Sequence, residues 1–262
     1  MSTSFREKLF RSEGVVLGRL DYGEADRILV VFTPNFGRLD LIAKGARKTL
    51  SRLGPQLDLF ANVNLELSRG RDLDVVRSAL PIRRFNRLRG DLDAFGHASY
   101  YAELVRSFTQ PREEHPEIYD LLVSTLVLME EGVDIWMLTR HFELALLAHL
   151  GYRPELFECV NCQRPIQQEV NWFSPAMGGL LCPACRGEDP GAIALSVNAQ
   201  KYLRLLVRDG LSAAARVSPT ESERMEIQGV TAHYVRHIAE RDMQSLRVLQ
   251  HLQAGTFTKG AE

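Results

Sequence analysis

Short apolar segments alternate with turns in the first 85 residues. Five segments rich in Val, Ile and Leu carry the strand signal: EGVVLGRL, DRILVVFT, GRLDLIAKG, LFANVNLELSRG and LDVVRSALPI. Turn-forming stretches such as DYGEAD and TPNFG separate them, and no helical period intervenes. Five closely spaced strands predict a small β-barrel, and five is also the strand number of the OB fold.

The period of the apolar positions changes to a helical one after residue 90. Three segments carry it, over 92–109, 116–132 and 134–151. Asp91 is expected to cap the first helix, and Gly132 and Gly151 are expected to end the other two. Helical patterns return at 196–210 and again from Thr220, where TESE has the capping-box form. The chain is therefore predicted to be α+β, with a barrel followed by helices.

Composition places the chain among ordinary globular proteins. It has 262 residues, of which 45% are hydrophobic and 25% charged. The N-terminus, MSTSFREKLFRSEG, carries charges where a signal peptide needs an apolar core. The longest apolar stretch, LLVSTLVLM, is much shorter than a membrane span. We therefore expect a cytosolic protein, whose cysteines stay reduced.

The net charge of −1 hides an asymmetry between the two parts of the chain. Residues 1–90 contain 17 Lys and Arg against 10 Asp and Glu, whereas residues 91–262 contain 15 against 23. A basic N-terminal part indicates a surface that meets a polyanion. Charge alone leaves open that the asymmetry is a chance distribution over solvated faces.

All four cysteines lie in two C-x-x-C pairs with nineteen residues between them. They are Cys159, Cys162, Cys182 and Cys185. This spacing is typical of a zinc ribbon, in which four thiolates surround one tetrahedral Zn²⁺. A redox pair would need a single C-x-x-C on a βαβ unit, and the compartment disfavours disulfides. Four sulfur ligands leave no position for water or substrate, so we expect one structural Zn²⁺ per chain.

Catalytic alternatives find little support along the chain. HFE, His141 to Glu143, resembles half of a zinc-deaminase signature, but neither cysteine pair follows a proline as that signature requires. His233 and His237 have a metal-capable spacing but lack the glutamate of a metalloprotease motif, so a solvated helix face is the better interpretation. Phosphate-binding glycine motifs and a nucleophile elbow are absent. The sequence predicts a protein that is not an enzyme.

Basic residues cluster after the third predicted strand, in AKGARKTLSR. The candidate DNA-binding residues of this region and its neighbours are Arg38, Lys44, Arg47, Lys48, Arg52, Arg69 and Arg71. Such a cluster can neutralise phosphates and release counterions, although taken alone it is compatible with a solvated loop. Aromatic residues for stacking are few here, namely Tyr22, Phe32, Phe36 and Phe60. Binding is therefore expected to be tolerant of base sequence.

Two stretches together resemble the RecO family of bacterial recombination mediators. The first runs from GVVL through YGEADRILVVFT to GRLDLIAKGAR, and the second is LGYRPELFECVNC followed by GGLLCPAC. The resemblance covers about the first 85 residues and the cysteine segment well, and the helices between them only by arrangement.

The resemblance implies an OB-fold domain followed by a helical domain that a zinc module interrupts. It implies binding of single- and double-stranded DNA, strand annealing and, with RecR, loading of RecA onto strands coated by single-strand-binding protein. That coating protein's acidic C-terminal tail is a further implied partner, whose binding residues are left unassigned. The family's basic DNA contacts correspond to Arg38, Lys44, Arg47 and Lys48.

These inferences give a multidomain α+β organisation in five parts. The OB-fold domain is expected at 1–85, the helical domain at 86–154 and 191–256, the four-cysteine zinc module at 155–190 and a tail at 257–262. The expected location is the cytoplasm, in association with the nucleoid. A zinc-ribbon transcription or RNA-processing factor is the alternative.

Overall fold

Five strands form a closed barrel in the computed structural model, which describes residues 9–240 and 243–245. The strands are β1 (Leu9–Tyr22), β2 (Asp26–Thr33), β3 (Gly37–Ala43), β4 (Asn62–Ser68) and β5 (Asp74–Arg83). They are paired in the order β1-β2-β3-β5-β4, and β4 closes the barrel against β1. The predicted five-stranded, OB-like barrel is confirmed, and a short 3-10 turn, Gly54–Gln56, precedes β4.

β1 closes the barrel because it is long enough to serve two neighbours. Its first half, from Leu9 to Val15, pairs with β4, and its second half pairs with β2. The register with β2 shifts between Val16 and Gly18, where a bulge lets the strand bend from one neighbour to the other. Alternate apolar side chains of the strands, such as Leu29 and Val31, point inward and are fully buried.

Three helices follow the barrel: α1 (Arg87–Gly90), α2 (Leu92–Phe108) and α3 (Pro116–Glu130). The predicted cap of α2 is confirmed, because the Asp91 carboxylate accepts hydrogen bonds from the backbone N–H groups of Asp93 and Ala94. Tyr119 of α3 lies against the barrel, with its hydroxyl 2.7 Å from the Asn62 amide nitrogen. The described residues up to Glu131 form one compact unit together with residues 244–245.

The second compact unit is Gly132–Met243. Its elements are α4 (Ile135–His149), β6 (Asn171–Ser174), β7 (Gly179–Leu181), a 3-10 helix (Pro183–Glu188), β8 (Ile193–Leu195), α5 (Val197–Arg208), α6 (Leu211–Ala214) and α7 (Glu221–Ala239). Asp134 caps α4, and the predicted Thr220–Glu223 capping box begins α7. The antiparallel sheet β7-β6-β8 was not predicted, since its strands are only three or four residues long.

Several predicted boundaries stay predictions. The helical segment up to 256 and the tail at 257–262 extend past residue 245, so that portion lies outside the described residues. In the described ranges, no helix combines the length and the apolar character that a membrane span requires.

Candidate metal centre and nucleic-acid interface

Each C-x-x-C pair lies on a tight turn that brings its two sulfurs together. In the first, the backbone N–H of Cys159 donates to the Arg164 carbonyl at 2.8 Å, and the N–H of Gln163 donates back to Cys159. Gln163 has a φ of 59°, a left-handed conformation that closes this turn. In the second, the N–H of Cys185 donates to the Cys182 carbonyl at 2.9 Å, at the start of the 3-10 helix. The two-residue spacing therefore produces two knuckles.

The four sulfurs meet in one cluster that fits a metal ion. Their Sγ atoms all lie within 4.8 Å of one another, and those of Cys162 and Cys182 are 3.8 Å apart. Four sulfurs at about 2.3 Å from a tetrahedral ion would be about 3.8 Å apart, so the spacing matches thiolate coordination. No disulfide joins them. The predicted set of four ligands is thus brought together and can hold a metal ion.

Hydrogen-bond donors contact three of the four sulfurs, and they favour the thiolate form of Cys162. The Arg164 guanidinium donates to Cys162 Sγ at 3.3 Å, the Asn161 amide to Cys185 Sγ at 3.4 Å, and the backbone N–H of Cys182 to Cys159 Sγ at 3.4 Å. The bond from Arg164 is the main reason why the pKa of Cys162 falls to about 6. These donors act on the metal-ligating form of the sulfur.

The basic loop after β3 is fixed to the turn between β1 and β2. The N–H of Gly45 donates to the Asp26 carboxylate at 2.7 Å, and the N–H of Arg47 donates to the Ala25 carbonyl at 2.8 Å. The Arg47 side chain donates to the Gly23 carbonyl and lies 3.3 Å from the Asp21 carboxylate. Arg47 therefore holds the loop in place as well as contributing charge.

Some of the other predicted DNA-binding residues make contacts within the protein, and the rest do not. Arg38 donates to the backbone carbonyl of Arg106, and Arg69 pairs with the buried Asp74 while its guanidinium lies 4.3 Å above the Phe10 ring. The other four predicted residues are exposed and make no hydrogen bond or ion pair within the part of the chain that the structure describes: Lys44, Lys48, Arg52 and Arg71. These four keep their charge available to a ligand.

Two residues near the loop gain interest only from the structure. Arg106 on α2 approaches the barrel so closely that a Cβ at Gly18 would be 3.5 Å from its Nη1 atom. Tyr22, at the end of β1, is exposed and stands between the two residues that Arg47 holds. A glycine in mid-strand at position 18 is the sequence signal for the first contact. The position of Tyr22 beside the loop becomes visible only from the contacts that Arg47 makes with Asp21 and Gly23.

The histidines and acidic residues considered for catalysis have other surroundings. Glu143 is buried and pairs with the buried Arg140 at 2.9 Å, while burial lowers the pKa of His141. Arg140 is therefore not available as an exposed cation. His233 and His237 line an open cleft of about 680 Å³, and His233 Nδ1 is 2.8 Å from the Gly229 carbonyl oxygen.

Comparison with known families and proteins matches both parts of the chain. Residues 7–85 match the family model for Recombination protein O N terminal, and residues 89–247 match that for Recombination protein O C terminal. A DNA repair protein RecO of Roseiflexus sp. (strain RS-1) is 39% identical over 248 residues, which cover 95% of this chain and 87% of the relative. Another, from Symbiobacterium thermophilum, is 33% identical over 249 residues, covering 94% and 98%.

Proposed function

The chain belongs to the RecO family of DNA repair proteins, and we propose that it is a recombination mediator. In this role it binds single- and double-stranded DNA and anneals complementary strands. With RecR it helps to load RecA onto strands coated by single-strand-binding protein.

The observation that carries the proposal is a basic loop in which three of the four charges are not used within the protein. Residues 44–52 contain four cationic side chains and no acidic one, and only Arg47 among the four is tied to the barrel. Lys44, Lys48 and Arg52 can therefore each neutralise a phosphate without breaking an internal contact. Arg71 is a further exposed cation at the β4–β5 turn, and Arg38 and Arg69 contribute charge from positions fixed by the fold.

Annealing needs a surface that reduces the repulsion between two strands and leaves their bases able to pair. Lys and Arg side chains that bind phosphates lower that repulsion, and they do not occupy the Watson–Crick edges. The interaction draws on no bond energy from a nucleotide triphosphate. The proposed reaction is therefore independent of ATP and sensitive to salt, because salt screens the phosphate contacts.

A fluorescence-quench assay with two complementary labelled oligonucleotides tests annealing. The full-length protein is expected to accelerate pairing at low salt without ATP, on bare strands and on strands coated by single-strand-binding protein. The acceleration should fall steeply as salt is added. An ATP requirement, or no acceleration over buffer at low salt, would contradict the mediator role.

We assign Zn²⁺ to the four cysteines and give it a structural role. When bound, the ion supplies cross-links between the two knuckles and no chemistry of its own, since four thiolates complete a tetrahedral shell. The protein's action is then that of a binding module and not of an enzyme. We place the module at 155–190, the OB-fold domain at 1–85 and the helical domain at 86–154 and 191–256.

The proposed partners follow the family role. They are RecR and the acidic tail of single-strand-binding protein, and the working location is the cytoplasm at the nucleoid. The residues that bind the tail stay unassigned. Lys201, Arg204 and Arg208 are basic side chains of the second unit, of which Arg204 donates to the Leu156 carbonyl and Arg208 is paired to Asp209. Binding of intact single-strand-binding protein but not of a form without its tail would support the tail as a partner. Equal binding of both forms would contradict it.

The alternative, a zinc-ribbon transcription or RNA-processing factor, predicts a different binding pattern. Such a factor would bind RNA or one base sequence strongly through its zinc module. Competition among DNA, RNA and scrambled oligonucleotides of equal length separates the two roles. We expect binding that tolerates sequence, as phosphate contacts do.

A further inference from the structure

The four residues of the cysteine cluster differ in their exposure to solvent. Cys159 and Cys185 are buried, at 1% and 7% exposed, whereas Cys162 and Cys182 are half-buried. Each knuckle therefore contributes one shielded cysteine and one accessible cysteine. A small reactive molecule in the solvent meets Cys162 and Cys182 first, and we call these two the accessible pair.

The sulfurs of the accessible pair are neighbours across the two knuckles. The Sγ atoms of Cys162 and Cys182 are 3.8 Å apart. Bonded sulfurs in a disulfide are about 2.05 Å apart, so an approach of about 1.8 Å would join them. Rotation about the Cα–Cβ bonds of the two side chains can cover such a distance. The accessible pair is thus placed to form a disulfide that links the knuckles.

The two shielded sulfurs are held in place by hydrogen bonds and apolar packing. Cys159 Sγ accepts from the backbone N–H of Cys182, and Cys185 Sγ accepts from the Asn161 amide, both at 3.4 Å. Both cysteines pack in one cluster with the fully buried Leu181. Buried cysteines in such surroundings are inert towards reagents in solution. An oxidant therefore acts on the accessible pair and not on Cys159 or Cys185.

A positive charge lies beside the accessible pair. Arg164 is exposed, and its guanidinium donates to Cys162 Sγ at 3.3 Å. A cation at this position stabilises an anion that leaves the sulfur during a reaction. The reagent that suits this arrangement is a peroxide, because its reduction by a thiolate releases hydroxide.

We propose that Cys162 and Cys182 are a peroxide-sensitive pair, whose oxidation to a disulfide removes the metal ion from the module. This inference rests on the proposed function, which assigns a structural Zn²⁺ to the four cysteines. It adds a redox switch to a module that the fold otherwise uses only for stability.

The reaction with hydrogen peroxide has two steps. The Cys162 thiolate attacks one peroxide oxygen, so an S–O bond forms, the O–O bond breaks and hydroxide leaves. The Cys182 thiolate then attacks the Cys162 sulfur, so the S–S bond forms, the S–O bond breaks and a second hydroxide leaves. The two sulfurs together lose two electrons, the peroxide gains them, and both hydroxides take up protons from the solvent.

The disulfide changes the module and leaves the barrel as it is. Cys159 and Cys185 alone fill only half of a tetrahedral shell, so the module no longer retains the ion or its stabilising effect. A thiol reductant reverses the change because it restores both lost ligands. All four cysteines lie between residues 159 and 185, so the basic loop at 44–52 has no group that reacts in this way.

The test treats the full-length, zinc-loaded protein with hydrogen peroxide. A chelating dye measures released Zn²⁺, and thiol titration with peptide mass mapping identifies the disulfide. We expect one ion released for each disulfide, a Cys162–Cys182 link and a fall from four free thiols to two. Dithiothreitol with added Zn²⁺ should restore four thiols and one bound ion.

Two histidine variants separate the accessible pair from the shielded sulfurs. Cys162→His and Cys159→His each keep four ligands, because imidazole also binds Zn²⁺, and zinc content before treatment checks this. Cys162→His should release the ion about tenfold more slowly than wild type, since it leaves one accessible sulfur beside two buried ones. Cys159→His retains the accessible pair and should release the ion at the wild-type rate.

The outcomes distinguish this inference from the proposed function. A wild-type disulfide within one knuckle, or release of Zn²⁺ with all four thiols intact, would overturn the accessible pair as the switch. Equal release rates in the two histidine variants would overturn it too, and if either variant holds no zinc, the wild-type peptide map decides. Absence of zinc from protein purified under reducing conditions would instead count against the assigned metal.

Discussion

The barrel and the cysteine module are both architectures that nucleic-acid-binding proteins use, yet their charges are opposite. The loop at 44–52 on the barrel has four cationic side chains and no acidic one. The module at 155–190 has five acidic residues against Arg164 and Arg186. Four thiolates around one divalent ion would add two further negative charges. Charge therefore favours the barrel over the module as the place of the proposed phosphate contacts.

The two regions also use their polar groups differently. In the module, N–H groups donate hydrogen bonds to the cysteine sulfurs; the donors are Arg164, Asn161 and the backbone of Cys182. These polar groups therefore stabilise the module itself. On the barrel, Lys44 and Lys48 are exposed and make no hydrogen bond or ion pair with the described residues. Fold likeness alone does not distinguish the two regions, whereas the contacts of each basic side chain do.

Loss of one sulfur ligand is expected to give the largest effect. Cys185→Ser should release the metal and unfold the module, because structural zinc binding is worth about 10–16 kcal/mol in small zinc modules. Elemental analysis and limited proteolysis would show metal loss and new cleavage within 155–190. Ala184→Ser is the matched control, an exposed neighbour that is not a ligand.

The DNA affinity of the same variant tests whether the barrel or the module binds DNA. Cys185→Ser should bind single strands as wild type does if the barrel carries the phosphate contacts. Loss of DNA binding while the barrel stays resistant to protease would contradict the assignment.

Removing a buried carboxylate of the barrel is expected to have an intermediate effect on stability. Asp74 pairs with Arg69 and Arg112 at 3.1 and 3.0 Å and accepts the N–H of Gly70. Asp74→Ala should lower the free energy of unfolding by about 2 kcal/mol, a value held down because both arginines are partly exposed. Urea denaturation monitors this, and metal content should not change. A fall in bound metal would show that the two regions do not fold independently.

The smallest effect is expected at the start of α7 in the second unit. Thr220→Ala removes a side-chain acceptor from the capping box with Glu223 and should cost about 1 kcal/mol. Thr220→Ser keeps the acceptor and should stay near wild type. Thermal unfolding of both variants provides the measurement. An unchanged melting temperature in Thr220→Ala would mean that this helix end does not limit the stability of the unit.

Local patterns predicted the elements that have strong local causes. β2 begins at Asp26 and ends at Thr33 as its apolar run indicates, and Asp91 and Thr220 cap helices because their side chains reach the first N–H groups. The cysteine cluster was predictable since two C-x-x-C knuckles have few other uses. The short strands of the module were missed because three residues carry no measurable period.

Features that depend on contacts distant in sequence could not be found in this way. The carbonyl partner of Arg38, on Arg106, is 68 residues away, so the sequence treats Arg38 as a free cation. The sequence around Arg69 likewise does not predict the contact of its guanidinium with the Phe10 ring. Which basic residues contact DNA therefore stays a prediction.

The most direct test of the central claim is the salt dependence of single-strand affinity in two matched triple variants. One replaces Lys44, Lys48 and Arg52 of the barrel loop by Ala and leaves Arg47 to hold the turn. The other removes the same number of charges from the second unit, at Arg186, Lys201 and Arg216. The slope of log K against log salt should flatten by about 2 in the barrel variant, at about 0.7 per lost phosphate contact, and stay unchanged in the other. An unchanged slope in the barrel variant, or an equal flattening in both, would contradict the assignment of DNA binding to the barrel.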